Sequence, residues 1–242
     1  MGAQTAFAAP DPRVDWDWQL SEDVVPPQGV RAFDADPDNV TRAQIAALNG
    51  AGVYTICYVS VGTLETYRND AILFPKAAVG KRYADWPDEF FLDIREPNTI
   101  LRIMERRFLD CALKGFQAVE PDNLDVYEND SGFDISRDDT LRYIIALVRA
   151  AHNVGLEIGQ KNVPELTADL VDMMDFAITE SCYQDRWCGE MRAYVDAGKP
   201  VFDAEYNDRN INFNKACKLA ETMGISMILK DRDLTSFRKV CS

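Results

Sequence analysis

Short apolar runs alternate with longer amphipathic stretches along most of the chain. Eight runs read as strands: residues 14–20, 30–35, 53–61, 116–120, 157–160, 176–180, 200–205 and 226–229. Helical patterns lie between them. Residues 41–50 carry Thr41 as a cap and apolar Ile45 and Leu48 three apart; residues 98–113 open on Asn98 and stop before Gly115. Residues 137–153 place Leu141, Ile144, Ile145, Leu147 and Val148 on one face and end before Gly155; residues 164–174, 190–197 and 212–223 complete the set. Strand followed by helix, again and again, predicts an α/β chain with a parallel sheet. At 242 residues the length matches a single (β/α)8 TIM barrel. A doubly wound open sheet fits less well, because neither G-x-G-x-x-G nor G-x-x-x-x-G-K occurs. No repeat or linker divides the chain, so residues 13–242 read as one barrel domain. Residues 1–12 read as a disordered tail or the remnant of trimming, with no basic n-region. The long segment 63–97 after the third strand holds Phe74, Trp86, Phe90 and Phe91. In a barrel such an insertion sits on the catalytic face, where it walls one side of a groove.

Charge narrows the partners. The chain has 26 basic and 40 acidic residues, for a net charge of -14. Nucleic acid and anionic membrane are repelled by such a field, and a polycation is attracted; the plainer meaning of the charge is solubility. No apolar run is long enough for a membrane-spanning helix. Six cysteines suggest an oxidising compartment and secretion. Cys182 with Cys188 and Cys217 with Cys241 read as disulfides, whereas Cys57 and Cys111 sit in apolar contexts and read as buried free thiols. No zinc site is expected: there is no C-x-x-C, and His152 is the single histidine. No cofactor motif is visible.

Acidic residues gather at the C-terminal ends of the predicted strands: Asp34, Asp36, Glu65, Glu120, Asp122, Glu180, Glu205, Asp231 and Asp233. Lys161, beside Asn162, and Lys230 occupy two more ends. Polar residues at strand ends commonly mark the exit to solvent, but in a barrel all these ends converge on one face. Two carboxyls in different surroundings separate in pKa, which is what glycoside hydrolysis needs: a proton donor for the leaving oxygen and a nucleophile or base opposite. Trp16, Trp18, Tyr58, Tyr183 and Tyr206 offer flat apolar faces for sugar rings.

Several segments together resemble a known family. They are D-W-D-W-Q-L from Asp15, C-Y-V-S-V-G from Cys57, L-D-I-R from Leu92, K-G-F-Q-A-V-E-P-D-N-L-D from Lys114, A-H-N-V-G-L from Ala151, the pair Lys161–Asn162, F-A-I-T-E-S-C from Phe176 and F-D-A-E-Y from Phe202. From Val14 to Cys241 the chain is similar to glycoside hydrolase family 114, the endo-α-1,4-polygalactosaminidases. The resemblance implies a secreted barrel that cuts internally in galactosaminogalactan-like polymers. It implies Asp122 as nucleophile and Glu180 as general acid/base of a retaining mechanism, with inversion as the other possibility. Glu120 rivals Asp122, and Glu205 rivals Glu180. Substrate contacts are expected from Trp18, Asp34, Asp36, Tyr58, Glu120, Asn123, Asp125, Lys161, Asn162, Glu205, Tyr206 and Lys230. A monomer, a cationic amino-sugar polysaccharide as partner and a preference for deacetylated stretches complete the expectation. The stretch R-A-F-D-A-D-P from Arg31 departs from the family pattern and leaves open which of Asp34 and Asp36 meets sugar. Arg186 and Trp187 depart from it too, which bears on the subsites. The competing readings are a carbohydrate-binding barrel without catalysis, a glycosidase for another α-linked sugar, and a lyase or aldolase using Lys161 or Lys230 as a Schiff base.

Overall fold

The structure, a computed structural model, describes residues 10–21, 24–84 and 86–241. Eight parallel strands run in chain order around one curled sheet: β1 (Trp16–Gln19), β2 (Ala32–Ala35), β3 (Tyr54–Ser60), β7 (Ala118–Asp122), β8 (Glu157–Lys161), β9 (Phe176–Glu180), β10 (Val201–Tyr206) and β11 (Ser226–Lys230). The expected barrel is present. Its seam between β1 and β11 is closed without a backbone ladder. Val14 N donates to Ser226 Oγ at 2.9 Å, and the Trp16 indole donates to Ser226 O at 2.9 Å. A short strand, β12 (Lys239–Val240), runs antiparallel to β11.

Side-chain alternation explains the two cores. Along β3, Tyr54 and Ile56 join the cluster that fills the barrel, while Cys57 and Val59 join the shell between sheet and helices. The interior holds six aromatic rings, those of Trp16, Trp18, Tyr54, Phe176, Phe202 and Tyr206. Ala32 on β2, Ala118 on β7 and Ala204 on β10 leave the space those rings occupy, so volumes complement across the bore. Trp16 and Phe202 lie 5.2 Å apart, and Phe176 meets Phe202 edge-on at 6.0 Å.

The helices are α1 (Arg42–Gly50), α2 (Leu101–Lys114), α3 (Arg137–Asn153), α4 (Thr167–Leu170), α5 (Arg192–Asp196) and α6 (Phe213–Met223). Thr41 caps α1 in a reciprocal box with Gln44. Asn98 does not cap α2: Pro97 opens a separate 3-10 turn over Pro97–Thr99, and the α-helix begins at Leu101. Gly115 ends it at φ 105°, in the left-handed region.

All three cysteine pairs are bonded: Cys57–Cys111, Cys182–Cys188 and Cys217–Cys241. The free-thiol expectation for Cys57 and Cys111 is therefore corrected. Cys57 points outward from β3 and Cys111 inward from α2, with Cα atoms 6.1 Å apart. The apolar surroundings that suggested free thiols are those of a bridge buried between sheet and helix. Residues 1–9 of the expected N-terminal tail lie outside the described residues.

The insertion after β3 folds into its own antiparallel sheet of β4 (Thr63–Glu65), β6 (Glu89–Leu92) and β5 (Val79–Arg82). Two arginines fasten it to the barrel. Arg68 bridges Glu65 at 2.8 Å and Asp36 at 2.6 Å, and Arg107 joins Asp70 to the Ser60 carbonyl at 2.8 and 3.0 Å.

Candidate active site

The strand ends open into a cleft of about 1030 Å³ whose lining includes Trp18, Tyr58, Asp122, Asn123, Asp125, Lys161, Asn162, Glu180 and Tyr206. The insertion supplies the opposite wall through Tyr67, Tyr83, Trp86, Asp88 and Glu89.

Three successive strand ends reach this cleft in the same manner. Just after Asp122, Lys161 and Glu180, the backbone enters the left-handed region at Asn123, Asn162, Val163 and Ser181 (φ 61°, 51°, 44° and 56°). Asn tolerates that region; for Val and Ser it costs energy, which the surrounding structure must supply. The turns stop each strand abruptly and leave the preceding side chain at the mouth. Gly62 permits the tightest of these approaches, since a Cβ there would lie 1.8 Å from Asn123 O.

Lys161 is the hub. Its Nζ lies 2.8 Å from Glu120, 2.8 Å from Asp122 and 3.2 Å from Glu180, and 4.5 Å from the centre of the Trp18 ring. Burial alone would discharge this lysine, but the carboxylates of Asp122, Glu120 and Glu180 push its pKa well up, so it stays an ammonium. That favours the ion-pair role over a Schiff-base amine.

Asp122 accepts further hydrogen bonds from Tyr58 Oη at 3.0 Å and Asn123 Nδ2 at 3.3 Å. Glu180 accepts from Asn162 Nδ2 at 3.0 Å and from Tyr206 Oη, while Asn162 Oδ1 accepts from Glu180 N at 2.9 Å. Burial raises Glu180, but the Lys161 charge with the Tyr206 and Asn162 hydrogen bonds outweighs it and holds the carboxyl below its usual range. Burial, reinforced by the Asp122 charge, raises Asp125 to about 6.

Four expected substrate contacts are corrected. Asp34, Glu120, Glu205 and Lys230 are fully buried and lie beneath the cleft rather than in its wall. Burial, and after it the neighbouring Glu120 charge, raises Asp34 well above the usual carboxylate range; burial raises Glu120 itself to about 7. Glu205 accepts the backbone N–H groups of Tyr183 at 2.6 Å and Gln184 at 3.1 Å, bracing the loop after β9. Lys230 is spent on Asp17 at 2.9 Å and the Thr235 carbonyl at 2.8 Å. Asp36 lines the cleft, but both its oxygens are held by Arg68.

The mouth is not uniformly acidic. Arg232, stacked 3.6 Å from the Tyr206 ring, and Arg209 also line it, each paired with an aspartate, Asp208 and Asp185. Neither arginine stood out in the sequence, since both fall in polar loops without periodicity. Of groups with ligand-like spacing for a metal, Cys182, Cys188 and Asp203 lie together, but the two sulfurs are bonded to each other.

Comparison with known proteins agrees with this fold. The sequence model described as glycoside-hydrolase family GH114 matches residues 2–242. The structure of Aspergillus fumigatus Ega3 in complex with galactosamine superimposes with a TM-score of 0.91 at 30% identity, covering 98% of this chain and 99% of that one. The glycoside hydrolase domain of PelA from Pseudomonas aeruginosa shares the fold, with a TM-score of 0.72 at 13% identity over 94% of this chain and 98% of that one. An uncharacterized protein of Deinococcus radiodurans is 26% identical over 226 residues, 85% of this chain and 72% of its own length.

Proposed function

Because the chain belongs to glycoside-hydrolase family GH114, we propose that it makes internal cuts in α-1,4-linked galactosamine polymers, with Asp122 and Glu180 as the working pair. The observation that carries this is the shared ammonium. Lys161 lies 2.8 Å from an Asp122 oxygen and 3.2 Å from a Glu180 oxygen, so the nearest oxygens of the pair are separated by no more than the sum of those distances. Retaining enzymes hold their carboxyls about 5–5.5 Å apart, whereas inverting ones need about 6.5–9.5 Å to admit a water. The bound supports retention.

In the first step Glu180 gives its proton to the glycosidic oxygen and Asp122 attacks the anomeric carbon. The carbon–oxygen bond to the leaving sugar breaks as the ester bond to Asp122 forms. Glu180, now ionised, takes a proton from water, which attacks the same carbon and frees Asp122. Each carboxylate accepts from three donors, so geometry treats them alike; the family resemblance assigns the roles. Since Glu180 is held below its usual range, its protonated form grows as pH falls. The rate constant kcat/KM is therefore expected to decline as pH rises from the acid side through neutrality.

The galactosamine held in the Ega3 complex supports the substrate class. Asp88, Glu89, Asp125 and Asp233 in the cleft suit an ammonium-bearing sugar, so deacetylated stretches are preferred and added salt weakens cleavage. The three disulfides support an extracellular setting, and no described helix is long and apolar enough to cross a membrane. Mass spectrometry of products from a partly deacetylated α-1,4-galactosamine polymer tests the proposal. Short oligomers are expected from the native protein and none from Asp122→Asn or Glu180→Gln. Intact polymer with all three proteins would point instead to a binding barrel.

A further inference from the structure

Glu89 is the most buried of the acidic groups lining the cleft that no described lysine or arginine pairs with. It lies on β6, in the insertion, and is only 8% exposed, yet it lines the cleft. Its Oε2 accepts a 2.5 Å hydrogen bond from Thr63 Oγ1, while its Oε1 takes none and no lysine or arginine pairs with it among the described residues. By contrast Asp36 is consumed by Arg68, Asp185 by Arg209, and Asp88 is exposed to screening water. A nearly buried carboxyl with an open oxygen facing a cleft is an unfilled half of an ion pair.

It is also wired to the chemistry. Thr63 Oγ1 lies 2.6 Å from Ser60 Oγ, which accepts from Asn123 Nδ2 at 2.9 Å; the same Asn123 nitrogen reaches Asp122 at 3.3 Å. An occupant of Glu89 thus sits at a fixed offset from the proposed nucleophile.

Resting on the function proposed above, we infer that Glu89 is the specificity-determining residue that recognises the 2-ammonium of a galactosamine unit in the cleft, pairing with it through Oε1. An N-acetyl group at that position would carry no charge to offer and would press an amide against a buried carboxyl.

Recognition then depends on pH in a defined direction. Burial, with the charges of Glu65 and Asp122, raises Glu89 to about 7 against the Thr63 hydrogen bond and Arg68, which lower it. Tyr58 and Tyr67 face the same cluster of carboxylates. Below about pH 7 the group is a neutral acid; above it, an anion that holds the ammonium, its proton released to water. An arriving ammonium itself favours the ionised form.

The test compares kcat and KM from pH 5.5 to 8 for a fully deacetylated polymer and a partly N-acetylated one. In the native protein, KM for the deacetylated polymer is expected to fall as pH rises through about 7. Glu89→Gln is expected to raise that KM about tenfold at pH 8 and to flatten its pH dependence, moving KM more than kcat. Thr63→Val removes a hydrogen bond that favours the anion, so the midpoint of the KM profile is expected to shift to higher pH. This second variant reads the same claim without altering Glu89. A Glu89→Gln protein that retains both the pH-dependent KM and the preference for deacetylated polymer would overturn the inference while leaving the proposed function standing. A native protein that cleaves neither polymer would overturn both.

Discussion

Two buried lysines stand at the ends of barrel strands, Lys161 on β8 and Lys230 on β11, and the sequence assigned both to substrate. The structure separates them. Lys161 meets three carboxylates, at 2.8, 2.8 and 3.2 Å, and lines the cleft. Lys230 meets one, Asp17 at 2.9 Å, beneath the cleft near the β1–β11 seam. Their titration moves in opposite directions from the same burial. At Lys161 the surrounding negative charge overwhelms desolvation; at Lys230 desolvation wins and the pKa falls. A strand-end lysine in a barrel is thus not one kind of residue. The number of anions it serves and its access to the cleft decide whether it organises chemistry or closes the wall.

The comparison is broken most forcefully at Lys161. Lys161→Met leaves Glu120, Asp122 and Glu180 facing one another without a cation. Cleavage is expected to fall about a thousandfold or more, the scale of removing one partner of a buried ion pair. Released from the ammonium, Glu180 should titrate higher, so the alkaline limb of the residual rate should move to higher pH. Steady-state rates across pH check both. Lys230→Met should behave differently: about 3–5 kcal/mol of stability is lost because Asp17 is stranded, while the protein that remains folded keeps kcat. Denaturant unfolding beside active-site titration separates the two effects.

A finer cut comes at Tyr206. Tyr206→Phe removes a donor to Glu180 but leaves the ring beneath Arg232. It is expected to cost about tenfold in kcat/KM and to raise the pH at which the alkaline decline begins. An effect of similar size, on folding rather than on rate, is expected at Glu89. Its pKa is raised in the folded state, so the folded protein binds the proton more tightly than the unfolded chain. Stability is therefore lost as pH rises from about 4.5 to about 7. Glu89→Gln is expected to be the more stable protein at pH 8, by on the order of 1–3 kcal/mol, and to lose that advantage at pH 4. Thermal unfolding at the two pH values checks it.

Much of this architecture was legible beforehand, for identifiable reasons. Short apolar runs separated by longer amphipathic helical stretches give the barrel order directly, because a strand buried on both faces and a helix buried on one place their apolar residues differently. Asp122, Lys161 and Glu180 were legible as members of a ring of strand-end residues because barrel strands deliver their ends to one face; the family resemblance, not the spacing, singled out Asp122 and Glu180. What was hidden depends on depth and on partners distant in sequence. Asp34 and Asp36 are two residues apart, yet one is sealed beneath the cleft and the other lies at the mouth in the grip of Arg68. Nothing in R-A-F-D-A-D-P foretells an arginine more than thirty residues on. Cys57 and Cys111 looked like core thiols because the flanking residues of a buried bridge and of a buried thiol are the same. Glu89 was missed because it ends a polar stretch, W-P-D-E, that reads as loop, and only the insertion's own sheet turns it inward. The insertion wall was expected in outline from its aromatic content; its chemistry was not.

The central claim is that one ammonium draws Asp122 and Glu180 close enough for a double displacement. Proton NMR of the first product formed from a deacetylated α-1,4-galactosamine polymer tests it most directly, by reading the anomer before mutarotation scrambles it. The account predicts that the α-anomer appears first and the β-anomer only later. A first-formed β-anomer would mean that water attacks directly across a wider pair, and would contradict the Lys161-centred geometry as the catalytic arrangement.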